Sequence, residues 1–146
     1  MDTMLRYAKV IQISACVTLL LATAACRGNT ANNPAGTDGI RVTDVTLGRS
    51  IGGDKAVTDE TDNFTPNDTV YASVATEGSA QSATLRAKWT FEDGQVVDDS
   101  SRTINPGSRE RTEFHIAKPD GWPTGKYQVE VFLDNKSADT ESFEVR

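Results

Sequence analysis

The chain offers little of the side-chain chemistry that catalysis normally uses. It contains a single histidine, His115, and no G-x-S-x-G motif that would pair a serine nucleophile with a base. His115 lies between Phe114 and Ile116, and strand alternation predicts that its ring faces solvent. Asp98 and Asp99 are adjacent, and neighbours on a strand point to opposite faces, so they cannot act together as the acid and base of a glycosidase. We therefore expect a protein that is not an enzyme and needs no cofactor.

Metal-binding chemistry is restricted in the same way, with one exception. Copper and zinc sites need several His and Cys ligands, and the chain has one His and two Cys. The segment 52–68 is rich in carboxylates, and Asp54, Asp59 and Asp62 are candidate ligands for Ca²⁺, which accepts oxygen ligands flexibly. The order D-x-[DN]-x-[DN]-G of an EF-hand is absent, so a solvated acidic loop without metal is the preferred interpretation.

Two aromatic residues are candidates for a binding surface. Trp122 lies in the turn-rich segment 119–125, where an exposed ring would stack on a sugar or anchor a protein partner. The preferred interpretation is that this ring instead closes the open end of the domain. Phe132 has the opposite parity to its neighbours Val131 and Leu133, so it is either covered by a neighbouring edge or part of a binding surface.

The size and charge of the chain limit the architecture that positions these residues. Its 146 residues, 37% hydrophobic and 25% charged, fit one small domain with a short extension. The net charge is -6, and residues 1–25 carry a net +1, so the chain from Cys26 onward carries -7. This acidity disfavours nucleic acid and an anionic membrane surface as the main partner, because both attract clustered Lys and Arg.

Residues 1–25 have the anatomy of an export signal. Arg6 and Lys9 form a positive start, and the uncharged run 10–25 follows them and ends in small side chains. As a helix this run would span about 24 Å, which is short of a hydrocarbon core of roughly 30 Å. A cleaved or processed signal is therefore predicted rather than a permanent transmembrane helix.

The boundary at 23–26, Thr-Ala-Ala-Cys, resembles the bacterial lipobox, in which the Cys is acylated before signal peptidase II cuts. The resemblance implies that Cys26 carries lipid, such as palmitate, and anchors the protein in the cell envelope. Thr23 stands where the lipobox usually has Leu, and an ordinary secretory signal cut after Ala24 is the alternative. Lipidation would also explain the only thiol left after the signal is removed. Arg27, where an Asp would favour the inner membrane, implies the outer membrane if the source has two.

The remaining chain divides into a linker, 26–39, and an all-β domain, 40–146. The linker has no large apolar side chain, so nothing in it can offset the entropy of ordering. From Ile40 onward, short alternating apolar runs are separated by Gly, Pro, Asn and Asp, and no helical periodicity is present. The predicted strands are 40–47, 69–76, 83–91, 95–104, 111–117, 126–133 and 140–145.

Several strands carry more specific predictions. The parity of the apolar residues in 40–47 changes near Thr43, which indicates a bulge. The uninterrupted alternation of 83–91 places that strand in the interior of a sheet. The polar run 95–104 is predicted at an edge, where acidic side chains discourage pairing with another molecule. Hairpin turns are expected at 92–94 and 134–136.

Two local features favour an immunoglobulin-like Greek-key β-sandwich of about seven strands. Trp89 has the parity of a core aromatic in the third major strand, and Gly125-Lys126-Tyr127 looks like a tyrosine corner at the start of the penultimate strand. The Cys pair of antibody domains is absent, so packing alone must join the sheets. The predicted core is Val70, Val74, Leu85, Trp89, Phe114, Tyr127, Val129, Val131 and Phe143.

The stretch from Phe64 to Val145, including KWTFEDGQVV and KPDGWPTGKYQVEVFLDN, resembles poorly characterised bacterial lipoproteins with immunoglobulin-like domains. That resemblance implies a fold and a location but no known activity.

Three functional hypotheses follow. The first is a lipid-anchored binding or adhesion module that engages an envelope protein or an extracellular ligand. The second is a structural or accessory envelope subunit that pairs through a sheet edge, and the third is a calcium-dependent carbohydrate-binding module that uses Trp122 and the 52–68 loop.

Overall fold

The computed structural model describes residues 39–146, and all regular secondary structure in this range is β-strand. The predictions for the signal, the lipidated Cys26 and most of the linker fall on residues 1–38 and lie outside the described residues. Within 39–146 there is no helix long and apolar enough to cross a membrane. The strands are β1 (Ile40–Gly48), β2 (Asn63–Phe64), β3 (Val70–Gly78), β4 (Ala83–Phe91), β5 (Gln95–Ile104), β6 (Glu110–Ile116), β7 (Gly125–Leu133) and β8 (Lys136–Val145).

The strands form a sandwich of two sheets. One sheet has three strands in the order β1-β3-β6, and the other has five in the order β2-β8-β7-β4-β5. All neighbours are antiparallel except β2 and β8, which are parallel. In immunoglobulin terms β1, β3 and β6 take the A, B and E positions, and β4, β7 and β8 take C, F and G. The predicted immunoglobulin-like Greek-key sandwich is confirmed.

The fifth strand departs from the constant-type arrangement. A constant-type domain places a fourth strand, D, beside E in the same sheet. Here β5 pairs with β4 instead, at the far edge of the larger sheet. The edge position predicted for 95–104 is confirmed, and no strand of residues 39–146 lies on the outer side of β6.

The core lies between the two sheets and is made by the alternating apolar residues of their inner faces. All nine predicted core residues are buried, and Trp89 is fully inaccessible to solvent. Trp89 packs edge-on against Phe143, with 6.0 Å between ring centroids. No cysteine occurs after Cys26, so within the described residues packing joins the sheets without a disulfide.

The strand boundaries mostly agree with the sequence pattern. The bulge predicted near Thr43 is confirmed by a register shift between Val42 and Asp44. β8 begins at Lys136, earlier than predicted, because the hairpin loop is only Asp134 and Asn135, whose φ angles of 48° and 66° both lie in the left-handed region. The two-residue strand β2 was not predicted, since such a short segment shows no alternation.

The sandwich has two distinct ends. At the end where the described chain begins, here called the entry end, Gly39 accepts a backbone hydrogen bond from Ser79 (2.8 Å), and Ala80 donates one to Pro106 (3.0 Å). The opposite end, here called the distal end, carries the paired residues Phe91 and Tyr127 and the segment around Trp122. Strands of nine residues separate the two ends by about 30 Å.

Candidate binding surfaces

Trp122 is a structural residue of the distal end. Its side chain is buried, with 5% of its surface exposed, and its indole Nε1 donates a hydrogen bond of 2.9 Å to the carbonyl oxygen of Asp68. Its backbone N–H donates to the carbonyl of Pro66 (2.8 Å). The ring is therefore not exposed for stacking on a sugar, and its burial agrees with the preferred interpretation that it closes the end of the domain. The physical reason is that the loop before β3 covers the ring and supplies an acceptor for its N–H.

The predicted tyrosine corner is present beside Trp122. The hydroxyl of Tyr127 donates a hydrogen bond of 2.7 Å to the carbonyl oxygen of Pro123. The ring stacks on Phe143 at a centroid distance of 5.1 Å and lies 4.7 Å from the ring of Phe91. Burial, together with the nearby charge of Glu92, raises the pKa of Tyr127, so the phenol stays protonated and remains a donor.

A small pocket, here called the distal pocket, opens next to this corner. It has a volume of about 250 Å³. Val96 at its rim is 51% exposed, an unusual exposure for a large apolar side chain in this domain. The irregularity of β5 opposite Trp89 and Thr90 brings Val96 and Val97 to the same pocket. The lining residues are Phe91, Gln95, Val96, Val97, Lys118, Trp122, Pro123 and Tyr127.

Phe132 lies on the outer face of the five-stranded sheet, as its parity predicts. The ring is half-buried because the guanidinium of Arg86, on the neighbouring strand β4, lies over it at 5.1 Å from the centroid. Arg86 is itself held by Asp99 of β5 through two hydrogen bonds of 2.6 and 2.5 Å, and these bonds lower the pKa of the Asp99 carboxyl. The covering group is therefore a side chain of the same sheet.

The three candidate calcium ligands are not brought together. Asp54 accepts a hydrogen bond from the backbone two residues later (3.1 Å), Asp59 pairs with Arg49 (3.7 Å), and Asp62 accepts a hydrogen bond from the side chain of the next residue. Among residues 39–146 no three His, Cys, Asp or Glu side chains are arranged to hold a metal ion. The buried position of Trp122 likewise removes the exposed ring that a carbohydrate-binding module would use.

The acidic side chains of the segment, Asp54, Asp59 and Asp62 among them, are exposed to solvent, as the preferred interpretation expects, but the backbone of the segment is anchored to the domain. A bridge between Ile51 and Val57 closes a small hairpin, and the hydroxyl of Ser73 donates a hydrogen bond of 2.6 Å to the carbonyl oxygen of Lys55 at its tip. Ser73 belongs to the outer face of β3 yet is only 1% exposed. The hairpin therefore lies over the outer face of the three-stranded sheet.

His115 lies on that same outer face, half-exposed, as the sequence predicts. Its Nδ1 contacts the carboxylate of Glu113, and its ring centroid is 5.5 Å from that of Tyr71. The contacts of the single histidine in the described residues are thus a carboxylate and a phenol ring.

A second, larger opening lies on the flank between β5 and β6. It has a volume of about 680 Å³ and is here called the flank groove. Arg102 of β5 points into the gap between the sheets, and its guanidinium lies 5.5 Å from the ring centroid of Phe114 on β6. The lining residues are Gly53, Asp54, Lys55, Arg102, Thr103, Ile104, Asn105, Glu110, Arg111 and Thr112.

The flank groove was not predicted from the sequence, although one signal pointed to it. From Ala83 to Trp89 the inward-facing residues of β4 are apolar and buried, whereas the residues of β5 in register with them are mainly polar: Asp98, Ser100, Arg102 and Ile104. A strand whose inner face is polar has no apolar sheet above it.

Comparison with known proteins identifies no family for this chain. The sequence matches no known protein family and no curated protein. An immunoglobulin-like protein from Pseudomonas aeruginosa is 15% identical, covering 73% of this chain and 96% of its own, with a TM-score of 0.48. The alkylpurine DNA glycosylase AlkC from Pseudomonas fluorescens, bound to DNA containing an abasic-site analogue, is 15% identical over 74% of this chain, with a TM-score of 0.48.

A β-glucosidase from Listeria innocua is similar at 7% identity over 73% of this chain, with a TM-score of 0.46. This chain spans only 30% of the glycosylase and 15% of the glucosidase. Sandwich domains recur in proteins with unrelated functions, and these similarities assign no function to the chain.

Proposed function

We propose that this protein is a lipid-anchored protein of the bacterial cell envelope that acts as a non-catalytic binding module. The export signal, the Thr-Ala-Ala-Cys boundary and the lone thiol support acylation of Cys26. Arg27 after that Cys supports the outer membrane where the source has two membranes. The binding role is supported by the placement of the distal pocket relative to the point where the chain enters the domain.

That placement carries the proposal. The chain enters the sandwich at Gly39, and the distal pocket lies at the opposite end, about 30 Å away along the strands. An anchor on Cys26 joins the domain at its entry end, which leaves the distal pocket free for another envelope protein or an extracellular ligand.

The lining of the distal pocket favours an apolar ligand group with a polar or acidic neighbour. Phe91, Val96 and Pro123 offer apolar surface, while Lys118 adds a positive charge at the rim. Pockets of this kind take one side chain or a short segment of a partner rather than a large cofactor.

The anchor is tested on the mature amino terminus. Mass spectrometry of the protein from its native membrane should find a terminal Cys26 carrying acyl chains, and Cys26→Ala should release the domain from the membrane fraction. Matched expression of Cys16→Ala, which lies in the signal, should leave the lipid in place. An unmodified terminus at Ala25, or a retained Met1, would contradict the anchor.

The binding site is tested by photo-crosslinking in intact cells. A benzophenone amino acid in place of Val96 should capture a discrete partner, and the same amino acid in place of the exposed Asn135 at the entry end should not. Capture should fall when Lys118→Glu reverses the charge at the rim. Equal capture from both positions would contradict recognition at the distal end.

A further inference from the structure

The larger sheet extends past the smaller one on the flank that carries β5. β1 lies against β8 across the sandwich. Following the two strand orders from this contact, β3 faces β7 and β6 faces β4, so β5 has no strand opposite it. The flank groove occupies this position, with β5 along one wall, the free edge of β6 along another and the 53–55 hairpin tip at the rim.

The burial pattern agrees with this uncovered position. The inward-facing residues of β4, namely Ala83, Leu85, Ala87 and Trp89, are at most 2% exposed. Their partners across the β4–β5 ladder are half-buried or exposed, and Arg102 among them is exposed. One more strand hydrogen-bonded to β6 would lie over these residues, at the D position of a constant-type domain.

The charge of the flank groove differs from that of the domain around it. Residues 39–146 contain twelve Lys and Arg against nineteen Asp and Glu. The groove nevertheless presents Lys55, Arg102 and Arg111, and none of these three forms an ion pair within residues 39–146. The lining also contains two carboxylates, Asp54 and Glu110, so its charged side chains sum to +1 in a domain whose net charge is negative.

We propose that the flank groove accepts an extended, acidic segment of a partner protein as an additional strand on β6. The free N–H and C=O groups of an edge strand provide the main-chain hydrogen bonds for such an addition. Carboxylates on the inner side of the segment meet Arg102, and carboxylates on its outer side meet Lys55 and Arg111. This inference concerns a surface separate from the distal pocket and does not depend on it.

The geometry excludes a second folded copy as the occupant. If two copies paired edge to edge through β6, the β6 strand of the second copy would lie under β5 of the first copy. The second copy also needs the space above its own β6 for its own five-stranded sheet. That space is already filled by β5 of the first copy. A single extended segment, with no sheet on its far side, fits the groove without this clash.

Binding is measured on the full chain in detergent with a synthetic peptide of about eight residues, the length of a typical strand. Pairs of glutamates alternate with pairs of threonines in this peptide, so that both faces of the strand carry carboxylates. Arg102→Gln and Arg111→Gln should each weaken its binding by about threefold to fivefold. Lys88→Gln, a matched change on the outer face of the same sheet, should alter it by less than about twofold. Hydrogen exchange should show new protection in β6 and none in β1, the opposite edge of the three-stranded sheet.

A peptide N-methylated at alternate residues tests whether the backbone contributes. Loss of binding for this peptide supports strand addition, because methylation removes the N–H donors and leaves every charge in place. Equal binding of the methylated peptide, equal competition by inorganic phosphate, or no binding at about 1 mM peptide would each overturn the proposal. Formation of a dimer protected at β6 would overturn the assignment of a single segment as occupant. Crosslinking at Val96 tests the distal pocket alone, so the proposal for the flank groove and the proposal for the distal pocket can fail separately.

Discussion

The hydroxyl of Tyr127 and the carbonyl oxygen of Pro123 are joined by a hydrogen bond of 2.7 Å, four residues back along the chain. The bond ties the start of β7 to the loop that precedes it. Because Trp122 and the distal pocket belong to the same loop, the corner fixes both the closure of the sandwich and the shape of the proposed binding site.

Removing this hydroxyl should loosen the distal end. Tyr127→Phe keeps the ring and should lower the free energy of unfolding by about 1 kcal/mol, the net value of one partly buried hydrogen bond. Tyr71→Phe is the matched control, since Tyr71 is half-buried on an outer sheet face and its hydroxyl has no hydrogen bond within residues 39–146. Urea unfolding followed by circular dichroism measures both, and equal losses would contradict the role of the corner.

Trp89 should be the most costly side chain of the core to truncate. Trp89→Ala should lower the free energy of unfolding by about 3–5 kcal/mol, because it leaves a cavity between the sheets. Trp89→Phe should cost clearly less, since it keeps a ring and removes an indole Nε1 that is buried without a partner in the described residues. Lys88→Ala, on the opposite face of β4, should cost under about 0.5 kcal/mol. Equal stability of the alanine variants would refute the core position.

Gly125 should resist substitution for steric reasons. Its φ is +148°, and a Cβ added there would lie 2.3 Å from Oε1 of Glu92 and 2.7 Å from Cε2 of Phe91. Gly94 in the β4–β5 turn also has a positive φ, +97°, but open space around it. Gly125→Ala should therefore cost more than Gly94→Ala, by roughly 1–3 kcal/mol for overpacking. Thermal melts of the two variants give the comparison.

Glu141 should make stability fall with rising pH. Its partial burial, together with the charges of Asp139 and Asp44, raises the pKa of its carboxyl above the usual 4.5. Folding therefore favours the protonated form, and that contribution is present below about pH 4.5 and lost as pH rises through the folded-state pKa. Glu141→Gln should be more stable than the parent at pH 7 and show no such gain at pH 4. Denaturant titration at the two pH values measures the difference, and an equal gain at both would exclude titration as the cause.

Local sequence pattern was sufficient for most of the architecture. The strand 83–91 alternates without interruption, so its bounds, its interior position and the burial of Trp89 were all predictable. The tyrosine corner was predictable for the same reason, because its hydrogen bond joins residues only four apart. Interactions within a strand or a short loop leave their signature in neighbouring residues.

The features that were missed or left open depend on distant partners. The acceptor for the Trp122 indole lies 54 residues earlier, at Asp68, so the sequence around Trp122 left both an exposed and a buried ring possible. The flank groove exists because one sheet has five strands and the other has three. The number of strands in each sheet cannot be predicted from any single strand, and the polar inner face of β5 was the one local indication of the groove.

The lengthwise separation of the entry end and the distal pocket has a mechanical consequence. In the proposed function, a pull between residue 39, where the anchored segment joins the domain, and a ligand in the distal pocket would act parallel to the strands. Hydrogen bonds between strands run perpendicular to that direction, so the pull loads the bonds of each ladder together in shear instead of breaking them one after another. A domain loaded in this way should resist unfolding under the pull, because yielding requires a whole ladder to slip at once.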